Sequence, residues 1–498
     1  MGRYIVGIDQ STQGTKAILF DESGELIARA DLPHRQIVND RGWVEHDPEE
    51  IYANTVQSVK DVVDKAGVDK STIAAVGISN QRETSLIWDE TGKPMYNAIV
   101  WQDARAAALC EELEKNGFAA LVAEKTGIRL SPYFPAGKLA WLLQNDPSLV
   151  TMMEKGKLRM GTVDTWLVYK LTRGAHYQTD YSNASRTQLY NIHTLSWDDE
   201  ICRAFGIDSA CLAEVTDSDG DYGETDFDGF LPHPIPIRGV LGDSHAALFG
   251  QGCTESGMVK ATYGTGSSVM MNIGGKPSAS SSGLVTSLAW KLGGQVNYVL
   301  EGNINYAGAV ITWLKDDLGL IESAAETEAL AKKAVPEDRT VLVPAFTGLG
   351  APYWSSEATA MFCCMTRTTK KPEIVRAALD SIAFQITDIL RAMEADTGTP
   401  VQALRVDGGP TGNGYLMQFQ SDITRLPVQV SPVQELSAMG AAYAAGAAIG
   451  INDMEQLFSR ISRKAYSPLM DASTAEEKYD LWKWAVQKVL ADSKGEER

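Results

Sequence analysis

Two short turns rich in small hydroxyl residues, and one aspartate between them, are the residues in this chain best suited to chemistry. Asp9-Gln-Ser-Thr-Gln-Gly-Thr-Lys16 joins two strand-like runs, and Tyr263-Gly-Thr-Gly-Ser267 repeats the device in the second half. Such turns let consecutive N–H groups converge on an anion, while an adjacent carboxylate can hold its counter-cation. Neither turn is a P-loop, since no GxxxxGK[ST] occurs, and neither forms a GxGxxG fingerprint. Between them lies Val240-Leu-Gly-Asp-Ser-His-Ala-Ala-Leu-Phe-Gly250, where an apolar run stops at a glycine and Asp243 opens a helical pattern. A carboxylate there can cap the helix or accept a proton, and this stretch alone leaves both roles open.

Gln81-Arg82-Glu83-Thr84 follows a buried-type strand, so a cation and an anion stand together at a sheet end. They read either as a solvated pair or as a grip on vicinal hydroxyls, the guanidinium donating and the carboxylate accepting. Trp101 offers the apolar floor such a ligand needs, or is simply core. His46 and His245 have no partner at metal-ligand spacing, which excludes a zinc site of that type.

These residues need strands and helices to hold them. Tyr4–Asp9, Lys16–Phe20 and Leu26–Ala30 read as an antiparallel meander. Asp47-Pro48-Glu49-Glu50 opens a helix with Tyr52, Val56, Val59 and Val63 on one face, closed by Gly67. Ile73–Ile78 reads as a buried strand, and Thr84–Gly92 as a strand entering a hairpin turn. The second half repeats the order, with strands at Met258–Thr262, Ser268–Met271 and Val296–Leu300, a long helix through Val375–Met393, and a strand, Ala403–Asp407, leading into Gly408-Gly409. This pattern predicts an α/β chain of two related domains, 1–250 and 251–498, facing each other across a cleft. The acidic, Gly-rich stretch Asp217–Gly229 reads as a surface loop, and Ala438–Ile451 as a buried helix with close backbone packing.

The chain has 498 residues, 44% hydrophobic and 22% charged, enough for domains with substantial cores. Lys and Arg number 45 against 64 Asp and Glu, a net charge of −19, which argues against nucleic acid or an anionic membrane as partner. Asp9 interrupts any signal-peptide core, Val6 stands where a myristoylation motif needs Ser or Thr, and no apolar run is long enough to span a bilayer. The six cysteines show no CxxC and no regular spacing, as expected of reduced thiols in a cytoplasmic protein.

Taken together, the residues resemble the FGGY carbohydrate kinases, closest to the glycerol kinases. The likeness runs through Gly42-Trp-Val-Glu-His-Asp-Pro48, Asn80-Gln-Arg-Glu-Thr84, Ala98-Ile-Val-Trp-Gln102, Gly161-Thr-Val-Asp-Thr-Trp166, Thr179-Asp-Tyr-Ser-Asn-Ala-Ser-Arg186, Phe346-Thr-Gly-Leu-Gly-Ala-Pro-Tyr-Trp354 and Arg405-Val-Asp-Gly-Gly409. It implies two ribonuclease-H-like domains of the actin and hexokinase type with ATP in the cleft, and transfer of the γ-phosphate to a primary hydroxyl of a small polyol or sugar. Asp243 is then the base, and Asp9 the magnesium carboxylate. Thr12, Gln13 and Lys16 belong to the first phosphate loop, and Thr265 and Gly266 to the second. Gly308, Gly409 and Asn413 line the adenosine side. Arg82, Glu83, Trp101, Tyr133, Asp243, Ser244 and Ser268 surround the acceptor.

The chain departs from the family at four places. Gly242-Asp-Ser-His245 stands where glycerol kinases usually have Gly-Asp-Gln-Gln, Ser268 stands for an aromatic cover, Ser11 for a glycine, and Cys363-Cys364-Met365 for a Gly-Leu-type run. Ser244 and Ser268 leave a larger, more polar pocket, favouring a four- or five-carbon acceptor over glycerol. A ketopentose kinase such as a xylulokinase is the alternative, and a catalytically inactive ATP-binding sensor of the same fold, or an actin-like polymer subunit, the different class. Oligomeric state, a homo-oligomer included, is left open by the sequence.

Overall fold

Apolar alternation near the start produces β1 (Tyr4–Gln10), β2 (Gly14–Asp21) and β3 (Leu26–Pro33) in the computed structural model, which describes residues 2–493. Met1 and residues 494–498, the outer ends of the two expected domains, lie outside the described residues. The three strands form an antiparallel meander. Helix α1 (Pro48–Ala66) starts at Asp47, whose carboxylate accepts from Glu49 N–H, and stops at Gly67, whose φ of 63° suits a glycine. Next, β4 (Ile73–Asn80) runs parallel to β1. Two further strands, β5 (Glu224–Thr225) and β6 (Ile235–Gly242), complete a six-stranded sheet in the order β5-β6-β4-β1-β2-β3. Strands β1, β4 and β6 are parallel, so their carboxyl ends open at one edge, the edge at which parallel sheets carry ligands.

The second half rebuilds the same unit. After α2 (Asp243–Gly250) come β7 (Val259–Tyr263), β8 (Ser267–Gly274), β9 (Val285–Leu292) and β10 (Gln295–Ile304). The long α3 (Lys371–Thr397), β11 (Leu404–Asp407), α4 (Gly414–Thr424), β12 (Val428–Val430), α5 (Leu436–Ala448) and β13 (Lys464–Tyr466) follow. The seven-stranded sheet has the order β9-β10-β8-β7-β11-β12-β13. Strand β7 pairs antiparallel with β8 and parallel with β11, as β1 does with β2 and β4.

Helix α5 departs from the chain order. It packs on β1, β4, β6 and α2, although it follows the second sheet's strands in sequence. Glycines permit the approach. A Cβ on Gly7 would stand 2.4 Å from the Ala438 carbonyl oxygen, and one on Gly77 2.2 Å from that of Ala441. The Ala and Gly content of α5 is thus explained by backbone lying directly on backbone. Apolar side chains from both sheets, among them Ile5, Leu241, Met270 and Val299, join α2 and α5 in one core.

Two local expectations are corrected. Strand Leu86–Asp89 pairs with Leu158–Gly161 rather than closing a regular hairpin; the turn forms, but Pro94 on the return limb has no N–H, leaving a single Trp88–Pro94 bridge. The stretch Asp217–Gly229 is more than a surface loop. Tyr222 and Phe227 are fully buried, and Ser218 N–H donates to the Lys291 carbonyl at 2.7 Å, tying this segment to the second sheet. All six cysteines are free thiols. No helix among the described residues is long and apolar enough to cross a membrane.

Candidate active site

The carboxyl ends of β1, β4 and β6 deliver Asp9, the Gln81-Arg82-Glu83 segment and Asp243 to one edge of the first sheet. The facing turn between β7 and β8 and the end of β11 supply the opposite wall. Between them is a cleft of about 320 Å³ lined by Asp9, Ser11, Lys16, Asp243, Ser244, Lys260, Thr262, Gly264, Gly266, Ser268, Asp407 and Glu435, among others.

Asp243 is the first residue of α2, whose cap position belongs to Gly242 without a side-chain cap bond. Its carboxylate accepts from Ser244 N–H at 2.6 Å, forms an ion pair with Arg82 Nε at 3.2 Å, and remains about a third exposed to the cleft. The helix is held from behind by Ser437 Oγ, which donates to the Asp243 carbonyl at 3.1 Å. A base needs this combination: fixed in place, one face open.

Arg82 and Glu83 do not pair with each other. Arg82 donates through both Nη atoms to Glu301, each at 3.0 Å, while Glu83 accepts from Arg186 Nε. Arg186 also stands 3.0 Å from Glu301. Glu301 is fully buried, and the two guanidiniums hold its carboxyl well below the usual carboxylate range against the opposing effect of burial. The result is a buried four-charge network beneath Asp243. Glu83 has φ 63°, the left-handed region that a non-glycine residue seldom takes. His245 is buried with Nε2 3.3 Å from Ser287 Oγ, and burial together with Arg82 keeps its ring neutral.

Trp101 reaches the first turn, its Nε1 donating to Thr12 Oγ1 at 2.9 Å. Its ring lies 5.5 Å from that of Tyr133, and the buried Lys138 ammonium donates to the Pro132 carbonyl at 2.8 Å and to the Tyr133 carbonyl, fixing the Tyr133 backbone. Gln13 is exposed at the tip of its turn, where its carbonyl accepts from His34 N–H, and does not line the cleft.

On the floor, Lys16 reaches Glu435 at 3.0 Å and Asp9 at 3.9 Å, and Ser79 Oγ donates to Asp9 at 3.2 Å. Burial pushes the Asp9 carboxyl up to about 6, opposed by Lys16 and reinforced by the Asp243 and Glu435 carboxylates. Glu435 is paired with Arg29 as well as Lys16, and Asp243 with Arg82, which leaves Asp9 as the carboxylate balanced, within the described residues, only by Lys16, 3.9 Å away. Among the described residues no cluster of three His, Cys, Asp or Glu side chains makes an all-protein metal site. A single buried carboxylate beside phosphate-sized space suits an ion such as magnesium, which keeps waters and substrate phosphates as its remaining ligands.

The second turn is tightly built. Gly264 N–H donates to the Gly266 carbonyl at 2.8 Å, and Gly308 N–H to the Gly264 carbonyl at 2.8 Å, so Gly308 abuts Gly264 and Thr265. Gly409 opens a single 3₁₀ turn, and Asn413 caps α4 by accepting from Leu416 N–H at 3.0 Å while donating to Thr327 Oγ1 at 3.0 Å. Lys260, buried, donates to Thr262 Oγ1 at 2.8 Å, and Asp407 accepts from Gln251 at 3.0 Å. Glu301, Lys260 and Glu435 went unread in the sequence. The signal for the first two was a charge inside an apolar strand run, which requires a buried partner.

The chain matches the model of the N-terminal domain of the FGGY family of carbohydrate kinases over residues 4–250 and that of the C-terminal domain over 259–449. The chain belongs to the FGGY family of carbohydrate kinases. Glycerol kinase 1 of Thermotoga maritima is 47% identical to this FGGY chain, over 98% of the chain and 100% of the relative. The glycerol kinase of Carboxydothermus hydrogenoformans is 48% identical over 97% of each. Among solved structures, Plasmodium falciparum glycerol kinase with ADP superposes with a TM-score of 0.93 at 37% identity, covering 98% of both chains. The two-domain fold expected from the motifs is therefore the FGGY fold.

Proposed function

We propose that this FGGY kinase transfers the γ-phosphate of ATP to a primary hydroxyl of a small polyol or ketose, glycerol or a four- to five-carbon relative, in the cytoplasm. The observation that carries this reading is Asp243: a half-open carboxylate, steadied by Arg82, facing two hydroxyl-rich turns across a cleft. The turns that carry Thr12 and, opposite, Thr265 and Gly266 border the donor phosphates, with Lys16 balancing their charge. Gly308, Gly409 and Asn413 border the adenosine. Asp243 takes the proton from the attacking hydroxyl, which Arg82 and Glu83 orient against Trp101 and Tyr133. Phosphoryl transfer needs positioning and charge neutralisation more than covalent help, and the buried network beneath Asp243 supplies that rigidity. Asp9 would hold a magnesium ion, which would supply neutralisation of the phosphate charge.

A catalytically silent ATP sensor has no need of a charge network fixing a carboxylate beside an acceptor wall. The test is ADP release measured against glycerol, erythritol, erythrulose, xylulose and ribulose. Release is expected to depend on the acceptor; a rate unaffected by every compound in the panel would overturn the kinase reading.

A further inference from the structure

The far wall of the acceptor site is a strip of the second sheet. Ser268 on β8 and Asn303 on β10 are direct antiparallel partners, so their side chains share one face. Glu301, two residues before Asn303, points to that same face. Ser268 Oγ donates to Glu301 at 3.1 Å, which fixes the face as the one toward Arg82 and Asp243.

Hydrogen-bonding capacity along this strip is unevenly used. Both Nη atoms of Arg82 are engaged by Glu301 and its Nε by Asp243. The Ser268 hydroxyl proton is given to Glu301. Asn303 differs: it is exposed, and among the described residues its amide side chain has no protein hydrogen-bond partner. Its backbone is nonetheless fixed, paired to β8 on one side and covered on the other by Gly350, where a Cβ would stand 2.9 Å from the Asn303 carbonyl oxygen. Ser268 lines the cleft, and Asn303 stands directly opposite it on the neighbouring strand.

We propose that Asn303 is a specificity residue for chain length, its amide binding the hydroxyl of a fourth acceptor carbon, so that a four-carbon polyol is preferred over glycerol. The proposal rests on the kinase reading above and deepens it. An acceptor with its primary hydroxyl at Asp243 and its middle hydroxyls beside Arg82 and Glu83 extends along the strip past Ser268. Glycerol ends before Asn303, whereas a tetritol places a hydroxyl against an amide that can both donate and accept. Sites that hydrogen-bond a substrate hydroxyl discriminate against the analogue lacking it.

The experiment compares kcat/KM for erythritol, threitol and glycerol in the wild type, Asn303→Ala, Asn303→Leu and Ser268→Phe. In the wild type a tetritol is expected to lead. Asn303→Ala should lower the tetritol-to-glycerol ratio about tenfold, the worth of one well-placed hydrogen bond, mainly through KM. Asn303→Leu, which fills the space, and Ser268→Phe, which covers it, should lower the ratio further. A ratio unchanged in all three variants, or glycerol leading in the wild type, overturns the assignment while leaving the kinase intact. Absence of turnover with all three compounds in the wild type, with calorimetry detecting no polyol binding, overturns this proposal, and it sinks the kinase reading as well only when erythrulose, xylulose and ribulose are also left unphosphorylated.

Discussion

The proposed acceptor side and the proposed nucleotide side of the cleft are built from opposite materials. Beneath Asp243, shape is set by side chains, with Arg82, Arg186, Glu83 and Glu301 all buried and mutually paired. Around the second turn it is set by backbone: Gly264, Gly266 and Gly308 bond through N–H and carbonyl groups, and Gly409 has open space where a side chain would begin. A small polyol offers hydroxyls that must be met at fixed points, which suits a rigid charge network. Phosphates are large, diffuse anions, well served by converging N–H groups that only side-chain-poor turns can present. On the proposed function, selectivity resides mainly in the side-chain wall and donor binding in the backbone wall.

The largest effect should come from removing the proton acceptor. Asp243→Asn keeps the shape and is expected to reduce kcat by on the order of 10²–10⁴, with ATP affinity, measured by calorimetry, nearly unchanged. Turnover close to wild type would make Asp243 a structural residue at the start of α2.

Next is the network itself. Glu301→Gln leaves two guanidiniums without their shared counter-charge and should cost about 3–5 kcal/mol in chemical denaturation, the usual penalty for breaking one side of a buried pair. A midpoint within error of the wild type would mean that the acceptor wall is not held by charge.

Asp9 gives a pH signature. Its carboxyl is raised to about 6 from an ordinary 3.8, so between those values the folded state holds a proton that the unfolded state has lost. The raised value therefore favours folding below about pH 4, and that advantage disappears as pH rises through 6. Asp9→Asn should consequently be more stable than wild type at pH 7.5, on the order of 2 kcal/mol, and indistinguishable from it at pH 4. Added magnesium should raise the wild-type Tm more than that of the variant; equal shifts would remove Asp9 from the cation site.

The smallest contrast tests the backbone wall. A Cβ on Gly308 would lie 2.6 Å from the Gly264 carbonyl oxygen, while one on Gly409 meets nothing within 4 Å. Gly308→Ala should raise KM for ATP about tenfold by displacing the turn, a cost of about 1.4 kcal/mol, and Gly409→Ala should perturb the empty protein's stability by under about 0.5 kcal/mol. Equal KM values for ATP in Gly308→Ala and wild type would show the second turn to be yielding rather than set.

Much of this was legible in the residues. The meander, the Asp47 cap, the Gly67 stop and the two hydroxyl-rich turns follow from local patterns, and local patterns are what a sequence displays. Asp243 could be placed at a strand-to-helix corner for the same reason. Glu301 was not read, because a lone glutamate in Tyr-Val-Leu-Glu-Gly becomes meaningful only when Arg82 and Arg186, more than a hundred residues away, are folded onto it. The acidity of Asp217–Gly229 points to solvent, although Tyr222 and Phe227 anchor it inside. The near-continuous Ala- and Gly-rich run of α5 announces burial without naming the sheet that buries it.

That last point bears on how the protein is made. The first sheet needs α5 to cover β1, β4 and β6, yet Leu436 emerges from the ribosome long after Gly250. At ordinary synthesis rates the nascent sheet waits roughly ten to forty seconds with its glycine-lined face unclosed. A fragment ending at Gly250 should accordingly bind chaperones and aggregate, and be rescued by supplying the missing C-terminal half in trans. Completion of the first domain is in this way made conditional on translation of nearly the whole message, so a truncated chain carries no finished acceptor domain.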